Sequence, residues 1–220
     1  MEKEQNIWQE DNAFEMMMDT VGGLESLYFQ HSNILNTELG GEEIIVRVGA
    51  VGLNFWDLLL VLGSLPWHAP GLEGAGVVVG VGSRAKELRA GDYVFYIVNE
   101  AGMVIFVRIP SLRARRLLEG LNIVDAASMS VAYSTAITSI LESGRLWRGE
   151  KVFIHSALGV GGQTCIMIAQ QVGAQVFATA GSTGKRTLLL IPLAFRRLRS
   201  FAVGLPGSRL RFYRQWTSEE

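Results

Sequence analysis

The chain has 220 residues, with 20 lysines and arginines against 21 aspartates and glutamates, and a formal net charge of −1. This balance excludes the basic footprint of a nucleic-acid or anionic-membrane binder, and the 49% hydrophobic content excludes a disordered chain. The single cysteine, Cys165, excludes an intramolecular disulfide framework. No apolar run approaches the roughly 18 residues of a membrane span, so we expect a compact cytoplasmic protein without membrane contact.

The N-terminal half predicts a β-rich lobe behind a short lead-in. Residues 1–20 mix charged residues with three consecutive methionines and show no helical or alternating period, so we predict a poorly ordered lead-in. From residue 41, short runs of branched residues interrupted by glycine predict strands over residues 43–51, 74–82, 92–98 and 103–109. Many short strands at close spacing indicate a barrel-like β lobe, which we place at residues 21–125.

A helical segment follows this lobe. We predict that Asp125 caps a short turn and that the next helix ends near Gly144. One face of that helix carries apolar residues at helical spacing, namely Tyr133, Ile137, Ile140 and Leu141.

Residues 151–179 predict one βαβ unit, with a helix that Gly173 stops between two apolar strands. The turn after the first strand fits the pattern G-x-G-x-x-G, with Ala157, Gly159 and Gly162 at the three glycine positions. In this pattern the second glycine lets the backbone approach a pyrophosphate, the third lets the helix pack close to the strand, and free helix N–H groups bind phosphate. The alternative is a glycine turn that only closes a strand-to-helix connection.

The end of the second strand indicates which dinucleotide would bind. An NAD site places an acidic residue about 20 residues beyond the turn, where it holds the ribose hydroxyls. Residues 179–186 contain no carboxylate, and Ser182, Lys185 and Arg186 stand where a 2′-phosphate would lie. This pattern favours NADP(H), and the alternative is that the basic pair is an ordinary solvated helix start.

Six motifs occur in one order along the chain: residues 51–57 (VGLNFWD), 70–78 (PGLEGAGVV), 91–92 (GD), 125–129 (DAASM), 133–136 (YSTA) and the glycine turn. With these motifs the sequence resembles the medium-chain dehydrogenase/reductase superfamily. More narrowly, it resembles the enoyl reductase domain of reducing polyketide synthases and animal fatty acid synthases. The resemblance covers about residues 21–190 and implies an α/β fold: a GroES-like β lobe over residues 21–125, then a linking helix and an incomplete Rossmann-type NADP-binding lobe over residues 126–190.

The resemblance also implies a zinc-free enzyme. Zinc members of the superfamily hold the metal with a cysteine and a histidine at the positions of Asn54 and Leu72, and here Cys165 and three histidines are scattered without ligand spacing. The zinc-free branch reduces carbon–carbon double bonds conjugated to a carbonyl. We therefore expect an NADPH-dependent enoyl reductase whose enoyl thioester is carried by an acyl carrier protein, with a homodimer in the intact family.

Site residues follow from the same motif match. The resemblance assigns Asn54 and Thr135 to the nicotinamide and ribose, and Lys185 as the catalytic proton donor to the substrate α-carbon. It assigns the pyrophosphate to Gly159, Val160, Gly161 and Gly162, and the 2′-phosphate region to Gly181, Ser182, Lys185 and Arg186. Val160 stands where the family usually has glycine, which predicts weakened binding.

Residues 191–220 carry six arginines between residues 196 and 214 and no recognisable family pattern, so we interpret them as an atypical tail with the character of out-of-frame translation. If the tail is genuine, we expect an unpaired sheet edge. Two further functions stay open: a free-standing NADPH quinone or 2-alkenal reductase, and a truncated inactive remnant.

Overall fold

The structure is a computed structural model that describes residues 12–99, 101–189, 198–203 and 211–214. The chain divides into two compact units, Met1–Val131 and Ala132–Glu220. The first unit therefore ends six residues later than the β lobe predicted from the sequence, which ends at residue 125. The physical reason is that residues 123–127 pack on the β lobe, so the short helix they form belongs to the first unit.

A five-stranded antiparallel sheet forms the centre of the first unit. Its strands are β3 (Glu43–Val51), β4 (Glu73–Val81), β5 (Tyr93–Ile97), β6 (Phe106–Pro110) and β7 (Ala114–Arg116), in the spatial order β6-β3-β4-β5-β7. Side chains alternate between the two faces of this sheet: Ile44 and Val46 join its main core, and Ile45 between them joins a second buried cluster. The main core there includes Ile44, Val46, Val78, Val94, Tyr96, Val107 and Ile109.

The N-terminal segment corrects one prediction. Within the predicted lead-in of residues 1–20, β1 (Phe14–Met18) pairs antiparallel with β2 (Leu27–His31), and Phe14 and Met18 are each 2% exposed. The expectation of poor order is therefore wrong for this strand, and residues 1–11 lie outside the described residues. The sequence period was uninformative because β1 is held by distant backbone: Met16 N–H donates to the Met103 carbonyl (3.0 Å) and Met18 N–H to the His68 carbonyl (2.8 Å).

Two short helices complete the first unit. The helix α1 (Phe55–Val61) buries Leu60 and Val61, and α2 (Ile123–Ala127) packs against β3, β4 and β5. The residue that caps α2 is Asn122 and not Asp125, because the Asn122 side chain accepts the Asp125 N–H over 2.8 Å. Asp125 instead accepts the Asn122 side-chain amide (2.7 Å) from the first turn of the helix.

The predicted linking helix is continuous to its expected end but changes geometry within its length. It runs as α3 (Ser130–Ala136) and then as a π-helix (Ile137–Ser143), with Gly144 as the C-cap. The Ser139 hydroxyl donates to the Thr135 carbonyl over 2.6 Å. This side-chain bond occupies a carbonyl that an α-helix would reserve for a backbone N–H, which favours the wider helix.

The second unit contains the predicted βαβ unit. The strands β8 (Lys151–Ile154) and β9 (Gln175–Thr179) pair in parallel, and α4 (Val160–Val172) connects them. Gly173 ends α4 at φ +86°, a left-handed conformation that suits glycine. The helix α5 (Thr183–Leu189) follows β9. The buried core of this unit includes Ile154, Ile166, Ala169, Val176, Ala178 and Leu189.

Two segments of the Arg-rich tail extend this sheet. The strand β10 (Leu198–Val203) pairs in parallel with β9, and β11 (Arg211–Arg214) pairs antiparallel with β10. Among the described residues β9 therefore has a strand partner on each side, and β8 and β11 form the two edges of this sheet. The out-of-frame interpretation of residues 191–220 stays a prediction, and much of that range lies outside the described residues.

Candidate functional site

The glycine turn links the end of β8 to the start of α4. Ser156 has φ +51°, a left-handed conformation that is uncommon outside glycine. The Gly159 N–H donates to the Ser156 carbonyl (2.9 Å), and Gly159 adopts φ −67° and ψ 158° as the residue before the helix. The Gln163 side chain donates to the Leu158 carbonyl over 2.7 Å. These bonds fix the turn to the first residues of α4.

The first turn of α4 presents backbone donors. Gly159 has no side chain to cap the helix, and the first main-chain bond into the helix is from Gln163 N–H to the Gly159 carbonyl (2.9 Å). By helix geometry the N–H groups of Val160, Gly161 and Gly162 therefore have no acceptor within α4. Val160 is 65% exposed. A 13-residue helix whose first N–H groups lack both a helical acceptor and a side-chain cap favours an anion at this end.

Gly161 and Gly162 meet different surroundings. A Cβ atom on Gly162 would lie 2.6 Å from the Ser156 carbonyl oxygen and 2.7 Å from Ala157 Cα, both backbone atoms. A Cβ atom on Gly161 would meet nothing within 4 Å. Gly162 therefore lets α4 pack closely against the turn, whereas the space above Gly161 is open to a ligand.

The segment after β9 places polar groups at the start of α5. Ser182 and Lys185 are exposed, and a Cβ atom on Gly181 would meet nothing within 4 Å. The Lys185 N–H donates to the Ser182 hydroxyl oxygen over 3.3 Å, and the Arg186 N–H donates to the Ser182 carbonyl over 3.0 Å. In this bond the Ser182 hydroxyl oxygen is the acceptor, so its proton stays available to another acceptor.

In the first unit, Asn54 belongs to a buried polar network. Its N–H donates to Asp57 Oδ2 (2.7 Å), and its side-chain amide donates to Glu73 Oε1 (2.9 Å). Asp57 Oδ1 accepts the Gly71 N–H (2.7 Å), and Glu73 Oε2 accepts the Val131 N–H (2.8 Å). Both carboxylates are 2% exposed, so these bonds offset the cost of burying their charge. The network fixes the orientation of the Asn54 amide.

Sequence reasoning singled out Asn54 but not the two carboxylates that hold it. The spacing of Asn54 and Asp57 is that of a helix capping box, which was a local signal for their contact. The Glu73 contact joins residues 19 positions apart, and no local pattern indicates it. Thr135 lies exposed on α3, and its carbonyl accepts the Ser139 hydroxyl. Asn54 lies in the first unit, and the other predicted site residues lie in the second.

Side chains of the types that can bind a metal ion lie apart from one another in the described residues. Across residues 12–99 and 101–189, no group of three or more His, Cys, Asp or Glu side chains is placed to hold a metal ion. The His31 ring packs on Phe14 at 4.1 Å, and His68 Nδ1 lies 3.1 Å from the Met18 carbonyl oxygen. Over the same ranges no helix has the length and apolar character to cross a membrane. The expectation of a zinc-free site stays a prediction.

Comparison with known proteins matches this chain to a domain family and to polyketide synthases. Residues 40–105 match the alcohol dehydrogenase GroES-like domain. The highly reducing polyketide synthase valA of Aspergillus terreus is 43% identical over 190 residues, which is 85% of this chain and 8% of that protein. The chain thus spans a small fraction of the synthases that it matches.

Solved structures extend the comparison to both units. The CurK enoyl reductase superposes with a TM-score of 0.75 at 25% identity, over 86% of this chain and 59% of that one. The quinone oxidoreductase of Pseudomonas syringae superposes with a TM-score of 0.69 at 28% identity, over 80% of this chain and 55% of that one. The chain therefore belongs to the medium-chain dehydrogenase/reductase superfamily, with a GroES-like domain and with homologues among highly reducing polyketide synthases.

Proposed function

We propose that this chain is the enoyl reductase region of a reducing polyketide or fatty acid synthase, which uses NADPH to reduce the α,β double bond of an enoyl thioester held on an acyl carrier protein. The observation that carries this proposal is the uncapped glycine turn at the start of α4, together with the carboxylate-free end of β9. The similarity to the CurK enoyl reductase supports the reaction class.

The turn suits the pyrophosphate of a dinucleotide. Val160 and Gly161 are exposed residues whose N–H groups have no acceptor within α4, and the open space above Gly161 lets a phosphate approach the backbone. The branched side chain of Val160 does not remove its N–H. We therefore expect Val160 to limit the affinity without abolishing binding.

The start of α5 suits a 2′-phosphate. The Ser182 hydroxyl and the Lys185 ammonium are both exposed there, beside the unobstructed backbone of Gly181. Arg186 is half-buried at the next position and adds positive charge. Because residues 179–186 have no carboxylate to accept the ribose hydroxyls, these groups favour NADPH over NADH.

Bound NADPH supplies a hydride to the β-carbon of the enoyl thioester, and a proton must then reach the α-carbon. Lys185 is our candidate for both the 2′-phosphate contact and the proton donor. One ammonium group cannot fill both roles at once, because the 2′-phosphate and the nicotinamide lie at opposite ends of NADPH. The bond from the Lys185 backbone N–H to Ser182 places Lys185 in the first turn of α5, the segment proposed for the 2′-phosphate, so we assign it the phosphate role.

The buried network around Asn54 supports a role for this residue in orienting the nicotinamide. Glu73 accepts from the Asn54 side-chain amide, and Asp57 accepts from the Asn54 backbone N–H, so buried carboxylates hold both the side chain and the backbone of this residue. Thr135 is proposed at the ribose from its motif alone. The chain's own contribution to the reaction is then orientation and electrostatics.

A quinone reductase is the second candidate, and the similarity to the Pseudomonas syringae quinone oxidoreductase favours it. The two functions differ in the acceptor. Initial rates of NADPH oxidation with the purified chain, measured with a crotonyl thioester and with a benzoquinone, separate them. We expect the thioester to be the better substrate. Preference for the quinone would favour the second candidate, and failure of both would contradict a reductase.

Two separate lysine substitutions test whether Lys185 contacts the 2′-phosphate of NADPH. Lys185→Gln should raise the KM for NADPH and leave the KM for NADH unchanged if Lys185 contacts the 2′-phosphate. A fall in kcat with both cofactors would instead indicate the proton donor. Lys151→Gln is the matched control, because Lys151 is an exposed lysine at the start of β8, at the other end of this strand from the turn.

A further inference from the structure

The last residue of β9, Thr179, reaches across to the glycine turn. Its side chain is buried, and its hydroxyl oxygen accepts the Ser156 N–H over 3.1 Å. Its carbonyl accepts the Ala157 N–H over 3.0 Å. The same hydroxyl lies 3.2 Å from Nδ1 of His155. One threonine thus contacts three consecutive residues at the start of the turn.

These contacts lie beyond the regular strand pairing. The β8–β9 ladder ends at the pair of Ile154 and Ala178. The residues that follow Ile154 leave the strand, and Ser156 takes the left-handed conformation at φ +51°. A non-glycine residue persists in that conformation when the surrounding contacts hold it. The Thr179 hydroxyl bonds to the N–H of this same residue.

The conformation of Ser156 determines where α4 begins. Its carbonyl accepts the Gly159 N–H (2.9 Å), and the same oxygen would lie 2.6 Å from a Cβ atom at Gly162. A rotation at Ser156 would therefore move the residues whose N–H groups face outward at the start of α4. The line of contacts runs from Thr179 through Ser156 to Gly159.

We propose that Thr179 is a positioning residue that holds Ser156, and through it the donor groups of the turn, in the geometry that binds the dinucleotide phosphates. The phosphate part of this inference rests on the proposed function. The structural part, that the Thr179 hydroxyl holds Ser156, does not.

Three variants of the full chain test the proposal. Thr179→Val removes the hydroxyl at nearly constant volume, and Thr179→Ser keeps the hydroxyl and removes a methyl group. Thr164→Val is the control for the contact with Ser156, because the Thr164 side chain is also buried and its hydroxyl donates to the Val160 carbonyl within α4 and not to Ser156.

Amide hydrogen exchange of the ligand-free protein tests whether the Thr179 hydroxyl holds Ser156. We expect Thr179→Val to accelerate exchange at Ser156, Thr179→Ser to restore the wild-type rate, and Thr164→Val to leave it unchanged. Unchanged exchange at Ser156 in Thr179→Val would overturn the inference. If Thr179→Val does not fold, faster exchange in Thr179→Ser than in the wild type would overturn it as well, because the retained hydroxyl would then not be the group that holds Ser156.

Titration with NADPH measures the Kd and so tests whether Thr179 positions the groups that bind the phosphates. We expect the Kd to rise about tenfold in Thr179→Val, the size of one lost hydrogen bond, and to stay within about twofold of the wild type in Thr179→Ser and Thr164→Val. An equal rise in Thr164→Val would overturn the positioning role. If the wild type binds no NADPH while Ser156 exchange still responds to Thr179→Val, the proposed function fails and the structural part stands.

Discussion

The close packing of α4 on the turn makes a sharp prediction for two adjacent glycines. Gly162→Ala places a methyl group 2.6 Å from the Ser156 carbonyl oxygen and 2.7 Å from Ala157 Cα, where an ordinary contact begins at 3.4 Å. The methyl group would overlap by about 0.8 Å with backbone that cannot rotate away. Gly161→Ala is the matched variant, because its methyl group meets nothing within 4 Å.

The two substitutions should shift stability in opposite directions. Overpacking costs about 1–3 kcal/mol, and alanine returns about 1 kcal/mol of helix propensity, so Gly162→Ala should lower the free energy of unfolding by up to about 2 kcal/mol. Gly161→Ala has no overlap to offset its gain in helix propensity, so it should raise the free energy of unfolding by about 0.5–1 kcal/mol. Urea unfolding followed by circular dichroism measures both. Equal stability of the two variants would refute the close approach of α4 to the turn.

Three further predictions concern the first unit. Glu73→Gln replaces a buried acceptor oxygen with a donor that faces N–H groups, so we expect the free energy of unfolding to fall by about 1–3 kcal/mol in urea titrations, and a change within error would contradict the network. Burial raises the pKa of the Tyr96 phenol well above its usual range, and its hydroxyl has no hydrogen-bond partner among the described residues. Tyr96→Phe should therefore raise stability by about 1 kcal/mol, and a loss would show that the hydroxyl has a partner. The Arg116 guanidinium, which donates to Asp92 over 2.8 Å, holds the pKa of that carboxyl below its ordinary value of 3.8, with help from a backbone N–H. Because the pKa is lower in the folded state, this stabilisation is present above pH 3.8 and is lost as the pH falls through the folded-state value. Asp92→Asn should flatten the acid limb of a stability–pH curve, and an unchanged limb would contradict the assignment.

The second unit was predictable because its signals are local. The apolar run of β8, the helical period of α4 and Gly173 at its end each lie within a few residues of the feature they determine. The strands of the first sheet were predictable for the same reason, since β3 and β4 each carry a short local run rich in branched residues. Their order in the sheet is not a local property, and the sequence did not indicate it.

Contacts between distant residues explain what the sequence did not show. The strand β1 depends on backbone partners at Met103 and His68, and neither is visible in the pattern of residues 14–18. The Glu73 carboxylate meets an N–H 58 positions away at Val131. In the candidate site, the motif predicted the glycine positions. The hydrogen bond between the Ser156 N–H and the Thr179 hydroxyl joins residues 23 positions apart, and no local pattern indicates it.

Transfer of a labelled hydride would show directly whether this chain reduces an enoyl thioester with NADPH. NADPH deuterated at the transferred position of the nicotinamide is incubated with the purified chain and a crotonyl thioester, and the product is analysed by NMR and mass spectrometry. We expect a saturated thioester with one deuterium at the β-carbon and a solvent proton at the α-carbon. A folded chain that leaves the thioester unreduced, or a product without deuterium at the β-carbon, would contradict it.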